Sequence, residues 1–170
     1  PDPCVRICIH EETDMPVTKL LVANRGEIAC RIIRTCRELD IPTVAVYSDS
    51  DRGAMHVRLA VLSHHIGPTP SRESYLRVDK LIDVCRKTGA DAIHPGYGFI
   101  AEDADAARKI IEAGITWIGP SPEVLENLAD KTKARAIALK VGAPVLPAIH
   151  EVMEDEDLVK AAEALGFPVM

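Results

Sequence analysis

A strand, a turn and a helix follow one another repeatedly along this chain. Between residues 19 and 120 this order recurs about four times, at a spacing of about 25–30 residues. Each strand is a short apolar run, and each helix carries apolar residues at the 3.6-residue period of one buried face. Strands that alternate with helices pair in parallel, because right-handed crossovers return each strand to the same sheet. The sequence therefore predicts the α/β class, with a Rossmann-like parallel sheet and helices on both faces.

The predicted elements change in kind after residue 120. Up to that point strands are predicted at residues 19–23, 43–47, 61–66, 91–94 and 116–118, and helices at 27–39, 54–59, 74–87 and 101–113. Beyond it the pattern indicates helices at 122–128, 131–141 and 154–165, with one short strand candidate at 144–146 and the opening of another strand at 167–170.

Three parts are expected from these patterns. Residues 1–14 have no clear period and lack the basic start and apolar stretch of a signal peptide, which indicates a leader or extension. Residues 15–120 hold the parallel sheet. Residues 121–170 are interpreted as a linker and the truncated start of a second domain.

Composition and charge exclude several classes of protein. The chain is 47% apolar and 27% charged, as in globular proteins, and no apolar run approaches the ~18–20 residues of a membrane span. Its net charge of −6 is concentrated at the two ends, which disfavours general nucleic-acid binding. Five cysteines without a C-x-x-C pair predict free thiols in a reducing compartment. Cys4, Cys8 and His10 are too weakly patterned to predict a metal site.

Four loops follow predicted strands at the sheet edge where ligands of open parallel sheets bind: residues 24–26, 48–52, 95–99 and 119–121. Neither G-x-G-x-x-G nor G-x-x-x-x-G-K-[ST] occurs, so the first turn is not predicted to bind a dinucleotide.

The most distinctive of these loops reads His-Pro-Gly-Tyr-Gly-Phe over residues 94–99. Glycine allows close backbone approach, and tyrosine offers a flat face with a polar tip. Tyr97 and Gly98 therefore form either the wall of a site for a flat ligand or a tight turn with Tyr97 and Phe99 in the core.

Charged residues on two predicted helices could either bind a ligand or partner or lie on the solvated surface. Asp130 is a natural cap for a helix whose first residues are Lys131-Thr132-Lys133, and Lys131 either contacts a bound anion such as phosphate or lies on a solvated surface. On the first helix, the face opposite the core is either solvated or a polar dimer interface. Its residues are Glu27, Cys30, Arg31, Arg34, Arg37 and Glu38, with Glu27–Arg31 and Arg34–Glu38 as spaced ion pairs.

The chain resembles the N-terminal part of biotin carboxylase, a component of acetyl-CoA, propionyl-CoA, methylcrotonyl-CoA and pyruvate carboxylases. The resemblance extends from about residue 19 to residue 170. It is carried, in this order, by KLLVANRGEIACRIIRTCREL, TVAVYSDSD, GPTPSRESYL, AIHPGYGF, WIGPSPEVLE and DKTKARAIA.

This resemblance implies a pre-ATP-grasp domain followed by the opening helices of an ATP-grasp region. It implies an enzyme that carboxylates biotin with bicarbonate and ATP, with Mg²⁺ or Mn²⁺ neutralising phosphate charge. The implied partners are a biotin carboxyl carrier domain and a carboxyltransferase, and the implied location is the cytoplasm, or the mitochondrial matrix in a eukaryote. The family's phosphate loop, metal-binding glutamates and base come later than residue 170, so the chain alone is expected to be inactive and to hold no catalytic residue.

Six residues acquire expected roles from the resemblance. Lys131 matches a lysine that contacts ATP phosphates, and Tyr97 and Gly98 match residues that border the biotin site. The helix face used in biotin carboxylase dimers is matched by Arg31, Arg34 and Glu38, which predicts a homodimer through the first helix.

The sequence departs from the family pattern at two places. Ala129 stands where the family usually has a glycine before Asp-Lys. Val61-Leu62-Ser63 stands where the family usually has Asp-Glu-Ala after the Arg-Leu-Ala string. Two alternatives to biotin carboxylase remain at this point. One is a non-catalytic dimerisation or binding module, and the other is the pre-ATP-grasp domain of another ligase such as carbamoyl phosphate synthetase.

Overall fold

Five short strands form one sheet in the computed structural model, which describes residues 17–146 and 155–167. The strands are β1 (Leu20–Val22), β2 (Thr43–Ser48), β3 (Leu62–Gly67), β4 (Ala92–His94) and β5 (Thr116–Trp117). The helices are α1 (Gly26–Glu38), α2 (Met55–Leu59), α3 (Val78–Thr88), α4 (Ala104–Glu112), α5 (Pro122–Ala129), α6 (Lys131–Lys140) and α7 (Asp155–Leu165). Short 3-10 turns span Asp49–Asp51 and Ser71–Glu73. The predicted α/β class is confirmed.

All the strands are parallel, in the order β3-β2-β1-β4-β5. β1 lies at the centre, with Leu21 opposite Val44 of β2 and Ile93 of β4. Leu21 and Val22 are fully buried, as expected for a strand covered on both faces. The chain runs outward from β1 to β3 and then returns to add β4 on the other side. The order therefore reverses between β1 and β4, where doubly wound sheets bind their ligands.

The edge strand β3 begins one residue later than predicted, at Leu62. Val61 is 71% exposed and Leu62 43% exposed, so the two apolar residues that replace the family's acidic pair lie at the surface. They contribute little to the core, and we find no structural explanation for the replacement.

The first helix follows the predicted amphipathic pattern with one exception. Ala29, Ile33 and Cys36 are buried on the core face, as predicted. The pattern predicts Cys30 on the polar face, but this residue is only 6% exposed, because a small apolar thiol is tolerated at the margin of a wide buried face. The predicted Glu27–Arg31 and Arg34–Glu38 ion pairs are not formed within the described part of the chain.

Two predicted helices start later than their patterns indicate. The helix predicted from residue 74 begins at Val78, because Tyr75 turns into the core and is only 2% exposed. The helix predicted from residue 101 begins at Ala104, where the Asp103 carboxylate accepts a hydrogen bond from the Ala106 amide at 3.0 Å. Such a cap fixes the first helical residue.

The structure divides into two compact units, with the division between Pro120 and Ser121. The second unit holds α5, α6 and α7, and the Ser121 and Asp130 side chains cap α5 and α6 as expected. The strand candidate at 144–146 was wrong, because these residues are described and belong to no strand. The leader at 1–14, Cys4, Cys8 and His10, and the end at 168–170 lie outside the described residues.

No helix within residues 17–146 and 155–167 is long and apolar enough to cross a membrane.

Candidate functional site

The loops that follow β1 and β4 meet at the carboxyl edge of the sheet, at the point where the strand order reverses. Asn24 and Arg25 follow β1, and residues 95–99 follow β4. Crevices at such points are the usual ligand sites of open α/β sheets. The structure therefore brings together these two of the four loops that the sequence marked as a ligand edge, and the Arg25–Asp51 ion pair joins a third, the loop after β2, to them.

Asn24, a residue with only 3% of its surface exposed, joins the two loops through its side-chain amide. Its Nδ2 donates to the carbonyl oxygens of Pro95 at 2.8 Å and Tyr97 at 2.9 Å, and its Oδ1 accepts from the Arg25 amide at 2.9 Å. Both amide hydrogens and one oxygen lone pair are thus used, as burial of an amide requires.

The backbone of the β4 loop adopts an unusual conformation over three residues. Gly96, Gly98 and Phe99 have φ angles of 71°, 63° and 48°, in the left-handed region that favours glycine. A Cβ on Gly96 would lie 2.8 Å from the Asn24 Nδ2 atom, so the two residues approach too closely for a side chain. A Cβ on Gly98 would meet nothing within 4 Å, so this residue faces open space.

Tyr97 lies at the tip of this loop with 65% of its surface exposed. The alternative that placed Tyr97 in the core is therefore wrong. Phe99 is only partly buried, and its ring stacks on the buried Tyr75 ring with 5.1 Å between centroids and 12° between planes. The loop thus presents an exposed tyrosine beside an open glycine, while its far end is anchored by aromatic stacking.

A buried carboxylate organises the neighbouring loop after β2. The Asp51 carboxylate accepts two hydrogen bonds from the Arg25 guanidinium, one from the Tyr75 hydroxyl at 2.6 Å and one from the Ser48 hydroxyl at 3.1 Å. The Arg25 guanidinium lowers the pKa of the Asp51 carboxyl to about 2, against the opposing effect of burial. Burial, together with the Asp51 carboxylate, raises the pKa of Tyr75 to about 12.

Two histidines lie close to this edge of the sheet. His94 ends β4, and its Nδ1 accepts a hydrogen bond from the Gly96 amide at 3.0 Å. His56 is fully buried, with its Nε2 3.2 Å from the Val46 carbonyl oxygen, and within the described residues its Nδ1 has no partner. Burial lowers the pKa of both imidazoles, so both favour the neutral form.

Sequence reasoning marked the loops but missed Asn24, Asp51 and Tyr75 as the residues that shape them. Asn24 and Asp51 lie inside the loops at 24–26 and 48–52, so their position after parallel strands was the available signal. Tyr75 gave no signal, because it lies in a stretch with a helical pattern.

Lys131 belongs to the second unit, where it is the exposed first residue of α6. The Asp130 carboxylate caps this helix by accepting from the Thr132 and Lys133 amides at 2.8 and 3.2 Å. Lys131 is a cation at the positive end of the helix, whose first turn contains no acidic residue. This arrangement suits an anion.

Arg31, Arg34 and Glu38 are exposed on α1, and none of them forms an ion pair with another described residue. Arg31 also lines an apolar groove of about 370 Å³ together with Ile28 and Leu39. Of the three charged residues, only Arg31 lines this groove, and the role of this face as an interface stays a prediction.

Metal ligation has no candidate in the described part of the chain. Within residues 17–146 and 155–167 no group of three or more His, Cys, Asp or Glu side chains is placed to hold a metal ion.

Known proteins are similar in sequence to this chain over the residues that form this site. Residues 16–125 match the family model described as "Biotin carboxylase, N-terminal domain". The mitochondrial methylcrotonoyl-CoA carboxylase subunit alpha of Oryza sativa subsp. japonica is 50% identical over 91% of this chain and 21% of its own length. Biotin carboxylase 1 of Bacillus subtilis is 47% identical over 91% of this chain and 34% of its own length.

A solved structure supports the same relationship. The biotin carboxylase domain dimer of 2-oxoglutarate carboxylase from Hydrogenobacter thermophilus, in complex with MgADP, ADP and bicarbonate, matches with a TM-score of 0.80 at 42% identity. The match covers 89% of this chain and 34% of that one. These matches favour the biotin carboxylase interpretation over a non-catalytic module or a carbamoyl phosphate synthetase domain. The chain spans only 21–34% of the length of these relatives.

Proposed function

The chain belongs to the biotin carboxylase N-terminal domain family, and we propose that it supplies this domain and the first helices of an ATP-grasp region to an enzyme that carboxylates biotin with bicarbonate and ATP. The observation that carries the proposal is the family match over residues 16–125. That range contains the complete parallel sheet and both loops of the switch point.

Biotin is proposed to bind beside Tyr97 and Gly98. Biotin has a flat ureido ring, and the exposed Tyr97 ring beside open space at Gly98 suits a flat ligand. The position at the carboxyl edge, between β1 and β4, is where this fold binds ligands. We therefore assign both residues to ligand binding.

Lys131 is proposed to contact the phosphates of ATP. Lys131 is the first residue of α6, at the helix end where the dipole favours negative charge. The contact would offset the repulsion between the lysine and its own helix end.

The described residues do not form a site for Mg²⁺ or Mn²⁺. The metal is therefore proposed to bind as a complex with the nucleotide, and not to side chains of the described residues alone. The solved relative contains MgADP and bicarbonate, which supports the same set of ligands for an enzyme containing this chain.

Homodimerisation is proposed to use the α1 face of Arg31, Arg34 and Glu38, and the solved relative is a biotin carboxylase domain dimer. A biotin carboxyl carrier domain would deliver the biotin, and a carboxyltransferase would use the carboxylated product. The compartment is proposed to be the cytoplasm, or the mitochondrial matrix in a eukaryote, and the rice relative is named as mitochondrial.

A chimeric enzyme tests the proposal. The matching N-terminal part of Bacillus subtilis biotin carboxylase 1 is replaced by residues 16–170 of this chain, and ATP-dependent carboxylation of free biotin by bicarbonate is measured. We expect the chimera to be active. We expect the 170-residue chain alone to produce no carboxybiotin, because it spans 34% of that relative. A folded chimera that binds neither ATP nor biotin would contradict the assignment.

A further inference from the structure

We propose that Asn24 is the positioning residue of the biotin-site loop, and that its buried amide holds the backbone of residues 95–97 in the shape that presents Tyr97 and Gly98. The proposal rests on the function proposed above for the loop. It concerns a residue that contacts the loop backbone and lies behind the exposed surface.

Both hydrogens of the Asn24 side-chain amide are bound to the loop. One NH₂ group donates to two carbonyl oxygens of the loop, those of Pro95 and Tyr97, at 2.8 and 2.9 Å. The two carbonyls lie on either side of Gly96, so the pair of bonds fixes the peptide planes between them. A carboxylate in the same place has no hydrogen to donate and would repel both carbonyl oxygens.

Gly96 leaves room for the Asn24 side chain because it has no Cβ. It has a φ angle of 71°, and an added Cβ would lie 2.8 Å from Nδ2 and 3.1 Å from the Asn24 Cβ. The close approach of the Asn24 side chain therefore depends on glycine at this position. Asn24 and Gly96 thus pack closely against each other where the loops after β1 and β4 meet.

The far end of the loop is held by contacts that do not involve Asn24. Phe99 stacks on Tyr75, whose hydroxyl donates to Asp51 at 2.6 Å. The backbone around Tyr97 is thus anchored before and after the exposed ring, by Asn24 on one side and Tyr75 on the other. Loss of the Asn24 donors frees only the first anchor, so it should loosen the loop without unfolding the sheet.

A loosened loop should weaken biotin binding in particular. A preformed site loses affinity when its backbone must be ordered during binding, whereas steps that do not involve the loop are unaffected. We expect the KM for biotin to rise about tenfold or more on loss of the two donors, from the usual strength of such bonds in a buried setting. The KM for ATP should not change.

Proteolysis of the full 170-residue chain tests whether Asn24 holds the loop, and it needs no enzyme assay. Chymotrypsin cuts after exposed tyrosines, and Tyr97 is 65% exposed. The isosteric Asn24→Asp variant should be cut between Tyr97 and Gly98 about tenfold faster or more than the native chain, as followed by mass spectrometry. Cleavage after Tyr47, in β2, reports global unfolding and should not accelerate to the same degree.

A matched control is provided by Asn127, the other asparagine of the chain, which is exposed on α5. Asn127→Asp makes the same chemical change and should leave cleavage at Tyr97 at the native rate. If Asn24→Asp fails to fold, Gly96→Ala tests the same contact from the loop side, because its Cβ displaces the amide. Equal cleavage at Tyr97 in the native chain and in a folded variant of either kind overturns the proposal.

Kinetics of the chimera separate this proposal from the function itself. An active chimera in which Asn24→Asp raises the KM for biotin, but not the KM for ATP, supports both. An active chimera in which the KM for biotin does not change overturns the positioning role and leaves the proposed function intact. An inactive chimera with native Asn24 counts against the proposed function. The proteolysis result then still decides whether Asn24 holds the loop.

Discussion

The Arg25 guanidinium donates to both carboxylate oxygens of Asp51, from Nε at 2.7 Å and from Nη2 at 2.5 Å. The Asp51 side chain is 6% exposed, whereas that of Arg25 is 48% exposed. The pair therefore joins the loops after β1 and β2 with a carboxylate that solvent scarcely reaches. Such bidentate pairs hold geometry as well as charge, and removal of one partner leaves the other unsatisfied.

Acid should remove the stabilisation that Asp51 provides. Because the folded state holds the pKa of Asp51 at about 2 and the ordinary value is 3.8, its contribution is complete above about pH 4 and is lost as the pH falls towards 2. The difference corresponds to about 2 kcal/mol of unfolding free energy. Urea unfolding followed by fluorescence of Trp117, the only tryptophan in the sequence, should show this loss between pH 4 and pH 2.5.

The Asp51→Asn variant should be less stable than the native chain at pH 7 by about 2 kcal/mol, and the difference should shrink at low pH. Asp79→Asn is the matched control, because Asp79 pairs with Arg77 at the surface with 61% of its side chain exposed. Its effect should be much smaller, since solvent screens an exposed pair. A difference for Asp51→Asn that does not vary with pH would count against the assigned pKa.

Mild acid should destabilise the fold through His56. Burial lowers the pKa of this imidazole from its ordinary 6.5, and its Nδ1 has no partner among the described residues. The unfolded chain therefore takes up the proton first, and stability falls as the pH drops below about 6.5. The Arg25 guanidinium also lowers this pKa and Asp51 raises it, and both effects are smaller than that of burial.

His56→Gln should remove part of this pH dependence, as measured by urea unfolding between pH 7.5 and pH 5. His94, which burial affects in the same direction, should account for a further part. An unaltered slope in His56→Gln would show that His56 keeps the same pKa on unfolding.

The parallel sheet could be predicted because its strands are buried on both faces. Leu21, Val22 and Val44 are completely inaccessible, so the strands appear in the sequence as continuous apolar runs that need no knowledge of their neighbours. The caps Ser121 and Asp130 were equally predictable, since capping depends on residues within one turn of the helix.

The site could be predicted only in outline. Tyr75 was assigned to a helix because its neighbours continue a helical pattern, but its hydroxyl bonds Asp51, 24 residues earlier in the chain. Asn24 looks like an ordinary turn residue until its amide is seen to contact residues 71 and 73 positions later. Contacts of this kind depend on the order of strands in the sheet, and local sequence patterns do not contain that order.

Charge reversal on α1 tests the proposed dimer. In an isologous interface the Arg34 side chain of one protomer can lie against Glu38 of the other, and neither is paired within its own described chain. Arg34→Glu should raise the Kd of the dimer about tenfold or more, as measured by sedimentation velocity across a concentration series.

Glu38→Arg should weaken the dimer to a similar extent, and the double variant Arg34→Glu/Glu38→Arg should restore most of the affinity, because the swapped charges are again opposite. Equal weakening in the single and double variants would indicate that these residues do not meet across an interface. A native chain that is monomeric at every concentration would contradict dimerisation through this face.

Removal of the Lys131 charge tests the proposed phosphate contact. Lys131→Met keeps the length of the side chain, so the packing of α6 should not change, but one charge-assisted hydrogen bond to the nucleotide is lost. In the active chimera we expect the KM for ATP to rise about tenfold or more, which corresponds to the usual strength of such a bond. The KM for biotin should stay the same, because Tyr97 and Gly98 are unaltered.

Lys140→Met is the matched control, since Lys140 is an exposed lysine in the last turn of the same helix. It removes the same charge from the end of α6 where the helix dipole favours a cation, so it should slightly reduce stability and leave the KM for ATP unchanged. An equal rise in KM for the two variants would indicate a general effect of net charge on nucleotide binding. A normal KM for ATP in Lys131→Met would exclude the contact and assign the lysine to the solvated surface.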